Sequence, residues 1–222
     1  MNSSQSVVTR SSESILATNK VLKNTYMLLS VTLLFSAVTA WISMQVMPSK
    51  GFSLGASFAA MGLIWFALPR TANSAAGIGV VFAITGLLGY SLGPILSHYM
   101  HLSNGAQLIM TALGGTGVIF LALSGYVLTT KKDFTFMGGF LITGMLVLLG
   151  AMLLNLFLNI TALSLALSSA VIMIMSGFIL YDTSRIVRGG ETNYIHATVG
   201  LYLNLYNIFT SLLHILGIFG DD

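Results

Sequence analysis

The chain has 222 residues, of which 55% are hydrophobic and only 7% charged, with a formal net charge of +3. A soluble domain carries roughly 25% charged residues, so lipid rather than water is the main solvent of this surface. The nine Lys and Arg lie between apolar runs instead of in one patch, which implies no nucleic-acid partner, and the lack of cysteine excludes disulfides, thiolate metal sites and a cysteine nucleophile.

Residues 1–24 are polar and Ser-rich and carry Arg10, Glu13, Lys20 and Lys23. They read as a flexible cytoplasmic tail, with room for a short interfacial helix from Ser12. Apolar runs follow at 25–47, 52–69, 76–99, 106–129, 137–158, 162–181 and 196–219. Each is about twenty residues long without the alternation of barrel strands, and helices satisfy every backbone polar group inside a bilayer. The expected fold is therefore all-α, an integral membrane bundle of seven transmembrane helices over residues 25–222. A signal peptide ending at Val38-Thr39-Ala40 is the rival for the first run. The length of the tail and the continuation of the run through Trp41, Ile42 and Met44 argue against it.

With the N-terminus in the cytoplasm, Arg10, Lys20, Lys23, Arg70, Lys131, Lys132, Arg185 and Arg188 all fall on the inner side and only Lys50 on the other. That asymmetry orients the chain, and seven spans put Asp221 and Asp222 on the periplasmic face. The connections are short, so consecutive helices are antiparallel neighbours. Gly86, Gly89 and Gly93 in the third run, and Gly114, Gly115 and Gly117 in the fourth, are expected at close helix contacts. Gly93-Pro94 removes a backbone donor and predicts a kink in the third helix near its outer end.

Ionisable residues at membrane depth cost roughly 2.5 to 3.5 kcal/mol, so each needs a reason. Asp182 is the main candidate. If its helix continues to Arg188, Asp182 lies six residues deeper, roughly 9 Å by the helical rise. The seventh run enters from the same side near His196, and Asn204 lies roughly 12 Å further in, at a matching depth. Asn204, Asn207, Ser211 and His214 share one stripe of that helix through spacings of three, four and three. One reading is a hydrophilic path for a proton or cation past Asp182. The other pairs Asp182 with Arg185 at the interface and treats the Asn and Ser side chains as interhelical glue.

Further polar residues carry less. His98 and His101 lack acidic or thiol companions and read as interfacial histidines, and Asn155 and Asn159 read as a helix cap in preference to a path. Arg70 follows Pro69 and either snorkels or reaches Asp182. No HExxH motif occurs, Ala122-Leu123-Ser124-Gly125 lacks the leading glycine of a rhomboid-type motif, and no lysine follows Lys132 to bind retinal. Catalysis, cofactors and a metal centre therefore have no support in the residues.

The stretches Lys20-Val21-Leu22-Lys23-Asn24-Thr25-Tyr26, Leu92-Gly93-Pro94-Ile95-Leu96, Tyr126-Val127-Leu128-Thr129-Thr130-Lys131-Lys132-Asp133 and Gly189-Gly190-Glu191-Thr192-Asn193-Tyr194-Ile195 resemble the transmembrane Bax inhibitor motif family, in its bacterial YccA-like branch. Leu201-Tyr202-Leu203-Asn204-Leu205-Tyr206-Asn207-Ile208-Phe209 resembles the wider family. The resemblance implies a seven-helix bacterial inner-membrane protein that is a modulator and substrate of the membrane protease FtsH. It also implies, from other bacterial members, a pH-sensitive calcium leak built on two aspartates of the sixth and seventh helices with an arginine of the second. Asp182 matches the first aspartate, Asn204 stands at the second, and Arg70 lies close to the arginine's position. An Asp-Asn pair lacks the coupled titration of two carboxylates, so protease modulation ranks above a calcium leak.

Overall fold

The computed structural model describes residues 3–220, with side chains for residues 16–49 and 51–220. Asp221 and Asp222, and the side chains of Arg10, Glu13 and Lys50, on which part of the orientation argument rests, lie outside the described residues. Seven helical segments are long and apolar enough to cross a membrane: Leu16–Val46, Gly51–Thr71, Ala76–Met100, Gly105–Thr130, Thr135–Leu158, Thr161–Val187 and Tyr194–Phe219. The first belongs to a longer helix, α1 (Ser3–Val46).

Local chemistry sets most of the breaks. The second span is α2 (Lys50–Gly62), a π-helical turn over Leu63–Ala67 and α3 (Leu68–Thr71). Pro69 has no N–H for the usual ladder, and the widened turn just before it is how the helix absorbs that loss. Ser49 caps α2 by accepting from the Phe52 N–H. At Gly93-Pro94, where a kink is expected, the third span divides into α4 (Ala76–Ser91) and α5 (Gly93–Met100). The fourth span, α6 (Gly105–Thr130), stops at left-handed Lys131, and the fifth, α7 (Gly138–Leu158), at left-handed Asn159. There Asn155 Oδ1 accepts from the Ile160 N–H at 3.1 Å, the cap expected of that pair. The sixth and seventh spans are α8 (Thr161–Val187) and α9 (Tyr194–Phe219), joined through Gly189 at φ +73°.

The seventh span is the axis of the bundle. It packs along α8, α6 and α1 and touches α4, while α2 rests on α4 and α7 rests on α8 at the periphery. Small residues of the third span set the closest approach: a Cβ on Gly89 would stand 2.3 Å from the Ser36 carbonyl oxygen of α1. The fourth-span glycines behave differently from expectation. Gly114 and Gly117 have nothing within 4 Å of an added Cβ, and Gly115 meets only Leu212 at 3.2 Å, because this face of α6 turns away from its neighbours. Alternation of the seven spans gathers Arg70, Lys131, Lys132, Arg185 and Arg188 at one end of the bundle, called the basic end below.

Candidate polar site between the sixth and seventh spans

Helix α8 continues to Val187, past the apolar run, and so carries Asp182 as a helical residue one and a half turns short of its end. Helix α9 starts at Tyr194 because Asn193 caps it, its side-chain oxygen accepting from the N–H groups of Ile195 at 2.9 Å and His196 at 3.3 Å. The Asn193 amide also donates to the Ala72 carbonyl at 3.0 Å and to Asn73 Oδ1 at 2.8 Å, which ties this loop to the one after the second span. These anchors fix the rotation and height of α9 against α8.

Asp182 and Asn204 meet. Asn204 Nδ2 donates to Asp182 Oδ2 at 2.8 Å, and Asn204 is only 5% exposed. A neutral amide facing a carboxylate gives it a donor without adding a second charge. Gly200 lies one turn earlier on α9, where a Cβ would be in ordinary contact with the acid, 3.4 Å from Asp182 Oδ2. The carboxylate forms one wall of a cavity of about 320 Å³ at the basic end, lined also by Arg185, Ile186, Glu191, His196, Ala197 and Gly200.

Arg185 belongs to Glu191, with Nη2 to Oε2 at 3.2 Å, and its guanidinium lies 5.6 Å over the Tyr181 ring. Glu191 in turn accepts from the Asn193 N–H at 2.9 Å. The direct Asp182–Arg185 pair weighed from sequence is replaced by this arrangement, because the loop brings Glu191 back over the end of α8. A second ion pair joins Arg188 to Asp133 at 3.2 Å. Asp133 lies outside the spans, and the hydroxyl and N–H of Thr135 hold its carboxyl below the usual range, with the Arg188 charge adding to the effect.

The other expected site residues divide. Arg70 is exposed and its guanidinium donates to the Phe66 carbonyl of its own helix, so it is not at Asp182; the widened turn before Pro69 aims it outward along its own helix. Asn207 donates to the Leu203 carbonyl at 2.8 Å, and Ser211 is buried at 8% exposure. His214 faces α8 near the opposite end, with Nδ1 2.9 Å from Ser168 Oγ and Nε2 3.4 Å from Ser164 Oγ. It lines a separate cavity of about 430 Å³ with Asn155, Asn159, Thr161, Ser164 and Ser168. Asn204 and His214 are ten residues apart, about 15 Å. Around that interval Met175, Ile179, Leu205 and Ile208, each at most 4% exposed, fill the core.

A second set of polar contacts on α9 escaped the sequence reading. Tyr202 is 1% exposed, and its hydroxyl lies 2.7 Å from Ser36 Oγ and donates to the Thr85 carbonyl at 3.3 Å. The Tyr206 hydroxyl lies 3.2 Å from Ser91 Oγ. Across the bundle, Ser124 joins Tyr26 and Thr183 through hydroxyl contacts. The four-residue spacing of Tyr202 and Tyr206 is the signal that marks them as one stripe toward α1 and α4.

The tie between the second-span loop and Asn193, the Asp182–Asn204 bond and the central seventh span all lie within residues 18–221, which match the family described as inhibitor of apoptosis-promoting Bax1. The chain belongs to that family. Among its relatives, the modulator of FtsH protease YccA of Escherichia coli K12 is 52% identical over 210 residues, 94% of each chain. A membrane protein of Vibrio cholerae is 49% identical over the full length of both chains. A protein of Pseudomonas aeruginosa is 46% identical over 202 residues, 91% of this chain and 90% of its own. The resemblance read from the four motifs and the aromatic seventh-span pattern is thereby borne out at the level of family and branch.

Proposed function

We propose that this chain is an inner-membrane modulator of an FtsH-type protease, with its N-terminus in the cytoplasm, its C-terminus in the periplasm and no catalysis of its own. The observation that carries the reading is 52% identity along 94% of both chains to the Escherichia coli modulator. The orientation follows from the basic end, where the side holding Arg70, Lys131, Lys132, Arg185 and Arg188 is the cytoplasmic one. In this reading the bundle sits beside the membrane helices of the protease and residues 1–24 are presented on its cytoplasmic side. Direct bonding of Asp182 to Asn204 and the filled core beyond them suit a protein that acts by contact. Co-purification from detergent-solubilised membranes tests it. The protease should accompany the tagged chain, and overexpression should lengthen the half-life of a membrane substrate; neither occurring would reject the reading.

A second reading is supported by one feature, the cavity that reaches the Asp182 carboxylate from the basic end. It makes Asp182, with Asn204 and further along the helix Asn207, Ser211 and His214, the polar stations of a calcium, other cation or proton leak. Liposome flux would then fall at least several-fold for Asp182→Ala. Asn204→Asp, which places two carboxylates face to face, would raise divalent-cation affinity. Equal flux in wild type and Asp182→Ala removes this second reading and leaves the first intact.

A further inference from the structure

Helix α7 is tightly seated on α8 only toward the basic end. There, added Cβ atoms on Gly138, Gly144 and Gly177 would stand 2.8, 2.8 and 2.5 Å from Tyr181, Ile174 and Leu141. Further along α7, Gly150 has nothing within 4 Å of an added Cβ, and Leu153, Leu154 and Phe157 are exposed. The space left between this end of α7 and the end of α9, over the start of α8, is the cavity of about 430 Å³ that His214 lines.

Its polar groups offer donors. Asn155 spends its side-chain oxygen on the Ile160 N–H at 3.1 Å, which leaves its two amide hydrogens for the cavity that it lines. A neutral imidazole has one N–H and one lone pair, so His214 donates to one of Ser164 and Ser168 and accepts from the other. The serine that accepts keeps its own proton to give. Ser169 on the same helix spends that proton on the Leu165 carbonyl at 2.9 Å, whereas Ser164 and Ser168 are turned to the ring. Thr161 adds a hydroxyl at the exposed rim. Asn155, Ser164 and His214 are half-buried, not enclosed, so a ligand reaches them from the surface of the bundle.

Depth identifies what brings acceptors to these donors. Thr161 is the first residue of α8, and Asn155 lies about 5 Å short of the end of α7 and His214 about 8 Å short of the end of α9. The 27 residues of α8 make it about 40 Å long, the thickness of a bilayer with its headgroups, so the donors stand in the headgroup layer and at its border with the hydrocarbon. The group with several acceptor oxygens at that level is a phospholipid's phosphate, and Met152, Leu156, Leu167 and Ile218 give the same cavity an apolar wall for an acyl chain. We propose that this cavity holds one phospholipid of the leaflet opposite the basic end by its phosphodiester, with the Asn155 amide and the Thr161 hydroxyl donating to the phosphate oxygens. The inference needs neither the protease nor a conducting path, and its test contains neither.

The full chain, purified in detergent, is equilibrated with phosphatidylethanolamine, with the diacylglycerol of the same acyl chains or with inorganic phosphate, and what it retains is counted by native mass spectrometry. Wild type should keep one phosphatidylethanolamine that Asn155→Asp loses, since the variant preserves the acceptor for the Ile160 N–H but replaces the amide donors with a negative charge. Retention of that lipid should fall at least about 10-fold in Asn155→Asp and about 3-fold in Thr161→Val, and wild type should hold diacylglycerol as weakly as Asn155→Asp holds phosphatidylethanolamine. Asp221→Asn combined with Asp222→Asn should not lower retention. Equal retention of phosphatidylethanolamine by wild type and Asn155→Asp overturns the proposal, as does equal retention of phosphatidylethanolamine and diacylglycerol by wild type. Inorganic phosphate held in place of the lipid, or a lipid held only once Asp221 and Asp222 are neutralised, overturns the lipid as the occupant. The Thr161→Val and diacylglycerol arms decide the matter even if Asn155→Asp does not fold.

Discussion

The fifth and seventh spans invert the rule of soluble proteins. The fifth is the most apolar of the seven and the least enclosed, and among its described residues only Gly138 and Leu141 are buried. The seventh is the least apolar, yet it forms the axis and buries Thr198, Tyr202, Asn204 and Ser211 along with its leucines and isoleucines. Lipid gives a leucine no reason to leave the surface, so Leu146, Leu153 and Phe157 stay outward at 64%, 61% and 85% exposure. Polar groups gain from protein partners, so the seventh span, with its buried hydroxyls and amide, is drawn inward. Between these two spans enclosure follows hydrogen bonding and close packing, and hydropathy runs the other way.

The contrast makes the seventh span sensitive and the fifth tolerant. Asn204→Leu strips the half-buried Asp182 carboxylate of its donor and should cost about 2 kcal/mol, read as a shift of the unfolding midpoint in bicelles. Tyr202→Phe leaves the ring and removes contacts to Ser36 and the Thr85 carbonyl, for a loss of about 1 kcal/mol by the same measurement. His214→Leu, whose partners Ser164 and Ser168 border a cavity and can rebond to water, should lose about 0.6 kcal/mol. Leu146→Ala and Leu153→Ala on the fifth span should change stability by less than about 0.5 kcal/mol. A loss above about 1 kcal/mol at either leucine would break the comparison, because it would mean that another protein surface covers that face.

The ends of the α8–α9 pair sharpen the same lesson. At the basic end Asp182, Arg185, Glu191 and His196 surround one cavity, and Asp182 is held by an amide. At the other end the partners of His214 are neutral hydroxyls. Met175, Ile179, Leu205 and Ile208 are buried along the interval between them.

What the sequence determined alone was everything that depends on distance along one helix. Seven runs of sufficient length gave seven spans, Gly93-Pro94 marked the place where the third divides, and Asn155 with Asn159 marked a cap. The helical rise placed Asp182 and Asn204 at one depth, and the bond between them follows from two antiparallel helices entering from the same side. Tertiary structure decided which face of each helix meets which neighbour. It gave Arg185 to Glu191, aimed Arg70 back along its own helix, divided the stripe so that Asn204 bonds Asp182, Asn207 bonds its own backbone and His214 lines a separate cavity, and left Gly114 and Gly117 facing open space. The physical reason is that rotation about a helix axis leaves its periodicity unchanged, and lipid does not penalise an outward leucine. Only the mutual fit of α1, α4, α6, α8 and α9 fixes that angle.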